Sequence, residues 1–209
     1  MATQGAFPAP TTGMEPKMNE QGLFIRANET LHGVIRQVRP EQMDLTIPDE
    51  MSWRPGQTLR AAMNLYTYED ACVPGVSNGD AKQPSNDAAR VDLLGEHPQD
   101  DYSRYSDAAD AAVRALADPS RIVHISYGDF PASDYLRDVT IQRGLSAYDT
   151  AKFIGADTTL PADLVQGLWT MIVPIAEQLR ELGVFGPRVE VTEDAPLQDR
   201  LLGLTGRQP

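Results

Sequence analysis

Gln142, Ser146 and Asp149 lie at i, i+4 and i+7 in DVTIQRGLSAYDTAKFIGAD, residues 138–157, and therefore share one stripe of a helix. Leu136, Val139, Leu145, Tyr148 and Phe153 recur around them at helical spacing. Aligned polar side chains on the inner face of a core helix mark a candidate site, because buried polar groups need partners. Asn28 and His32, at i and i+4 beside the apolar face of the first helix, can meet that stripe across the interior. A histidine facing a carboxylate serves as general acid or base near neutral pH, so His32 and Asp149 are the candidate catalytic pair. The plainer alternatives are a His32 bonded to a helix neighbour or solvent, an Asp149 kept for capping or packing, and Gln142 and Ser146 satisfying each other.

The elements that must position these residues follow from periodicity. Residues 1–18, rich in Pro, Gly and Thr, read as a mobile tail ahead of one domain over 19–209. A first helix is expected from about Asn19 to Val38, with Phe24, Leu31, Ile35 and Val38 on one face and Pro40 stopping it. A second, from about Gly56 to Cys72, turns Leu59, Met63 and Tyr66 inward. VPGVSNGDAKQPSNDAARVD then reads as a flexible surface loop, taken over residues 74–97. A third helix is expected over about Asp101–Leu116, followed by a strand and turn in RIVHISYGDF. The long helix of the stripe covers Ala132–Ile154, and another covers Pro161–Leu182, bent at Pro174. RVEVTEDAPLQDRLLGLTGR closes the chain with a short strand and a short helix. The pattern is mainly α: an antiparallel four-helix bundle with short β-strands and a small C-terminal α+β extension, a fold whose interior builds ligand and metal sites.

Charge narrows the partners. The 209 residues hold 18 Lys and Arg against 30 Asp and Glu, a formal charge of -12. Such a chain repels a phosphate backbone, which argues against nucleic acid. No stretch is long and apolar enough to span a bilayer, so no membrane partner is expected. Cys72 is the lone cysteine, which fits a reducing cytoplasm. Gly-rich phosphate loops, GxSxG and CxxC are absent, so nucleotide binding and a serine elbow find no support. His124 reads as a strand residue alternating between core and solvent, and Trp53 and Trp169 as apolar core groups.

The succession MSWRPGQTLRAAM, SYGDFPASDYLRD, SAYDTAKFIGAD and LGVFGPRVEV with APLQDRLLGLTGR resembles the actinobacterial branch of the DinB-like, mycothiol-dependent maleylpyruvate isomerase superfamily, over about Asn19 to Arg207. That resemblance implies a helical bundle whose interior holds one divalent metal, bound by a histidine of the second helix and a Glu-x-x-x-His pair of the fourth. Matched position by position, the glutamate falls on Gln142, its histidine on Ser146, and the second-helix histidine on or next to Ala62. All three ligands are replaced by groups that bind divalent metals poorly. Asp149 matches an aspartate that many members keep. A site rebuilt from Asp149, His32 and Asn28 lacks the histidines that transition metals favour.

With no metal and no cofactor expected, the emptied shelf implies a chamber lined by Phe24, Asn28, Ala62, Met63, Tyr66, Gln142, Leu145 and Ser146, suited to an apolar small molecule. The leading expectation is a metal-independent enzyme of isomerase, cyclase or lyase type, of actinobacterial secondary metabolism. The alternative is a non-catalytic binder or carrier of such a molecule. A mycothiol-dependent transferase or isomerase is a third reading, and a homodimer is compatible with all three.

Overall fold

The computed structural model describes residues 18–48, 51, 56–79, 91–125 and 128–209. Over these it is mainly helical, with seven helices and one two-stranded antiparallel sheet. Helix α1, Glu20–Ile35, begins where the Asn19 side chain accepts from the Gly22 amide at 2.8 Å. It stops before the expected Val38, in a turn leading to the 3-10 segment Pro40–Gln42. Helix α2, Leu59–Asn78, is capped by Thr58 and ends at Gly79, whose φ of 73° is left-handed. Its last turn corrects the expected loop from residue 74: Pro74 lies inside the helix, and buried Val73, Val76 and Ser77 pack that end down. Residues 91–97 are non-helical, while 80–90 and Trp53 lie outside the described residues.

Helix α3, Pro98–Ala115, starts earlier than expected because Pro98 suits a first turn that also carries Asp100 and Asp101. Strands β1, Ile122–Ile125, and β2, Gly128–Pro131, pair antiparallel with Val123 opposite Phe130 and His124 opposite Asp129. Helix α4 spans Ala132–Ile154 and ends at Gly155, φ 73°. The expected bent helix over Pro161–Leu182 is two helices, α5 Ala162–Ile172 and α6 Ala176–Glu181, with Pro174 between them. Helix α7, Leu197–Leu204, closes the fold. The strand expected in RVEV is not formed; Val189 gives its amide to the Gly203 carbonyl of α7, and among the described residues no neighbouring strand pairs with it.

α1 packs along α4, α2 along α3, and α1 also touches α3, whereas the α2 and α4 backbones are not closely apposed. The apolar interior divides into two clusters. One gathers Leu31, Leu59, Met63, Tyr102, Leu145 and Leu168; the other gathers Phe24, Val73, Val113, Val123 and Leu136. Where they meet, α1 to α4 each contribute buried polar groups: Asn28, Glu69 and Asp70, Ser106 and Asp110, Thr140 and Arg143. No helix among the described residues is long and apolar enough to cross a membrane.

Candidate functional site

The polar stripe of α4 is consumed by three different partners. Gln142 Nε2 donates to Glu69 Oε1 at 2.7 Å. Ser146 and Thr150 lie beside the Tyr66 hydroxyl and favour its ionised form, but burial outweighs them and raises its pKa above the ordinary phenol value. Asp149 is gripped from the other side by Arg207, with Nε on Oδ1 at 2.9 Å and Nη2 on Oδ2 at 2.8 Å.

The expected meeting of His32 with Asp149 is corrected by these contacts. His32 bonds to Ser103 of α3, 2.7 Å from Nε2 to Oγ, and its ring meets Tyr102 edge-on with centroids 5.8 Å apart. Asn28 likewise turns to α3, its amide donating to Asp110 Oδ1 at 3.0 Å and to the Ser106 carbonyl at 3.2 Å. Both α1 residues thus lie against α3, while the Arg207 fork already satisfies both Asp149 oxygens. The expected common chamber is also divided: Phe24 belongs to one apolar cluster, and Ala62, Met63, Tyr66 and Leu145 to the other. All five are buried as core.

The three positions that the resemblance assigns to metal ligands do not fit a divalent ion. Ala62 has no donor atom, Gln142 turns its amide N–H to Glu69, and Ser146 offers only a neutral hydroxyl beside Tyr66. Nor do Asn28, His32 and Asp149 converge. No group of three or more His, Cys, Asp or Glu placed to hold a metal occurs among the described residues.

Two other assemblies emerge. The first is a buried centre built on Arg143, which is 0% exposed. Its Nη1 donates to Glu69 Oε2 at 2.8 Å, its Nε and Nη2 to Asp70 Oδ1 at 3.1 and 2.7 Å, and Nη2 also to the Tyr66 carbonyl at 3.1 Å. Burial works against the guanidinium charge, but Asp70 and Glu69 outweigh it and raise its pKa. Burial also dominates at Asp70, against the pull of Arg143, and pushes that carboxyl up to about 6. Asp70 Oδ2 has no partner, nor does the buried Tyr135 hydroxyl; Tyr102, with Ser106 beside it, makes no bond of good geometry.

The second assembly is a surface hollow of about 360 Å³ lined by His32, Arg36, Gln99, Asp100 and Ser103. Its hydrogen bonds fix the histidine. The Ser103 hydroxyl donates its single proton to the Gln99 carbonyl at 2.7 Å, so it accepts from His32 Nε2–H. Nδ1 is then the ring nitrogen with the free lone pair. Arg36 brings to the same hollow a guanidinium that no carboxylate pairs among the described residues. A second hollow, about 340 Å³, is lined partly by Arg26, which already pairs with Asp163 at 3.2 Å.

Sequence reasoning missed Arg143, Glu69, Asp70 and Ser103, although for the first three a signal was present. Arg143 interrupts the inward run Leu136, Val139, Arg143, Ala147 at core spacing, and Glu69 and Asp70 follow Tyr66 by three and four residues on the inward face of α2. Ser103 carried no such signal, since it pairs with His32 only through the packing of α1 on α3. His124 is half-exposed, its Nδ1 2.8 Å from Asp129 Oδ1 across the hairpin. Trp169 packs beneath the Arg200 guanidinium, 4.9 Å from the ring centre. Comparison with family models, with curated proteins and with solved structures finds no match to this chain.

Proposed function

We propose that the chain is a metal-independent enzyme that moves a proton on a small molecule, of isomerase, cyclase or lyase type, on a cytoplasmic DinB-like antiparallel four-helix bundle formed by α1 to α4. The site is the hollow between α1 and α3 rather than the bundle interior. The observation that supports it is the anchoring of His32. Ser103 fixes its tautomer, Tyr102 fixes its ring, and the ring borders a hollow of metabolite size. Arg36 offers a charged handle for a small polar substrate, which the lining of His32, Gln99, Asp100 and Ser103 suits. Asp149, committed to Arg207, has no part in this chemistry.

The test compares wild type with His32→Gln on a small-molecule extract followed by mass spectrometry. Compounds converted by wild type should be converted about 10²- to 10⁴-fold more slowly by the variant, the usual contribution of proton transfer. Equal conversion by both proteins sinks the assignment. The partner of His32 is Ser103 and not a carboxylate, which favours one second reading, a non-catalytic carrier with its ligand in the same hollow. Under it neither protein converts anything, yet both retain the same small molecule after gentle purification.

A further inference from the structure

Asp70 stands where the two apolar clusters meet, and Pro74, four residues on, has no N–H to give to its backbone carbonyl. Its side chain is faced on its own helix by Glu69, and from α4 by Arg143 and Tyr135. α3 brings Tyr102 and, further along the same layer, Asp110, which Asn28 of α1 holds. β1, which also packs on α2, turns buried Val123 and Ile125 inward, its His124 being exposed and paired with Asp129.

The donors divide unequally. Glu69 receives Arg143 on one oxygen and Gln142 on the other. Asp70 receives two N–H groups on Oδ1 and none on Oδ2. With both carboxylates ionised, one guanidinium faces two negative charges in a space sealed from water, with an oxygen left unsolvated. A proton on Oδ2 removes the larger fault. It cancels the excess charge, and a neutral O–H without a partner costs less in the interior than an unsolvated carboxylate oxygen.

We propose that the Glu69, Asp70 and Arg143 centre is a proton-operated switch: with a proton on Asp70 the helices close around it, and without one the join between α2 and α4 loosens. That join depends on these side chains, because the two backbones are not closely apposed and Arg143 and Gln142 of α4 reach across to α2. The elevated Asp70 pKa, about 6, sets the switch close to neutral pH.

The full-length protein is compared with Asp70→Asn, which keeps the shape, loses the charge and carries an N–H where the acid has its O–H. Glu69→Gln is the second variant; it removes the excess charge while leaving Asp70 on Arg143. The infrared difference between wild type and Asp70→Asn should show a protonated carboxyl band at about pH 5 that is gone by about pH 8. Amide exchange along α2 and α4, corrected for the intrinsic effect of pH, should report a rise in opening toward the higher pH that is about tenfold larger in wild type than in either variant, Asp110 acting alike in all three proteins. Absence of the carboxyl band at the lower pH overturns the proposal, as does the same pH-dependent opening in wild type and Asp70→Asn. Should Asp70→Asn fail to fold, Glu69→Gln decides: a pH dependence about tenfold smaller than that of wild type supports the switch, and its full retention overturns it.

Discussion

A charged side chain in this protein is defined by what already holds it. Asp149 was marked by its place on a polar stripe, yet both its oxygens are taken by Arg207, and each side chain is 24% exposed. Asp149→Asn should therefore cost under about 1 kcal/mol in urea denaturation, as partly exposed ion pairs do, and leave any turnover unchanged. Loss of turnover in that variant would restore the carboxylate to the site. Arg143 is the contrasting case. Arg143→Met strands Glu69 and Asp70 in the interior, and unfolding titrations at neutral pH should show a loss of about 3 to 5 kcal/mol. Adding Glu69→Gln and Asp70→Asn to that variant should recover much of the loss, because the stranded charges cause it. Recovery of nothing would mean that the guanidinium matters by its volume alone. His32 was legible as a candidate because imidazole on an inner helix face is conspicuous. Its partner was not, since Ser103 is one serine among many until α3 is laid against α1.

Helices were legible where capping and periodicity agree. α4 runs over Ala132–Ile154 as expected, its end fixed by Gly155 in the left-handed region after Lys152. A Cβ at Gly155 meets nothing within 4 Å, so the strain of Gly155→Ala is conformational alone. The expected cost is about 1 to 2 kcal/mol, readable as a lower urea midpoint with an unchanged slope. A cost near zero would mean that the chain past Ile154 relaxes out of this conformation. Proline was less legible, because its effect depends on what surrounds it. Pro74 and Pro174 carry the same local instruction to interrupt a helix. At Pro74 the turn continues because Val73, Val76 and Ser77 are buried beside it, whereas at Pro174 the preceding Val173 is 47% exposed and the chain separates into α5 and α6. The RVEV strand failed for a related reason: alternation of side chains specifies a strand only where a neighbour can pair with it, and α7 occupies that place.

At the scale of the whole molecule, acidity is built into the interior as well as the surface. The formal charge of -12 was readable at once, but the burial of two aspartates on facing helices was not. Burial pushes both Asp70 and Asp110 up to about 6 from 3.8, the latter despite its bond from Asn28. A carboxyl whose folded pKa exceeds its unfolded one binds protons more tightly when folded. Its stabilising contribution is complete below the unfolded value and is lost as pH rises through the folded value. Between about pH 7 and pH 4 the protein should therefore gain stability as the solution becomes more acidic, on the order of 2 kcal/mol for each of the two groups. Falling net charge acts in the same direction by relieving self-repulsion. The gain has a lower limit. Asp101, Asp118, Asp157 and Asp194 are held below the usual carboxylate range by hydrogen bonds, and their support is lost as pH falls through those lowered values. Thermal melts across this range should show a maximum between about pH 4 and pH 5, in dilute solution because the pI near 4.6 lies inside that window. Asp70→Asn with Asp110→Asn should flatten the rise above about pH 5 while leaving the fall at lower pH in place. A wild-type midpoint that drops steadily from about pH 8 to pH 5 would show that the buried carboxylates are matched in the folded state, and that Arg143 compensates both of its partners.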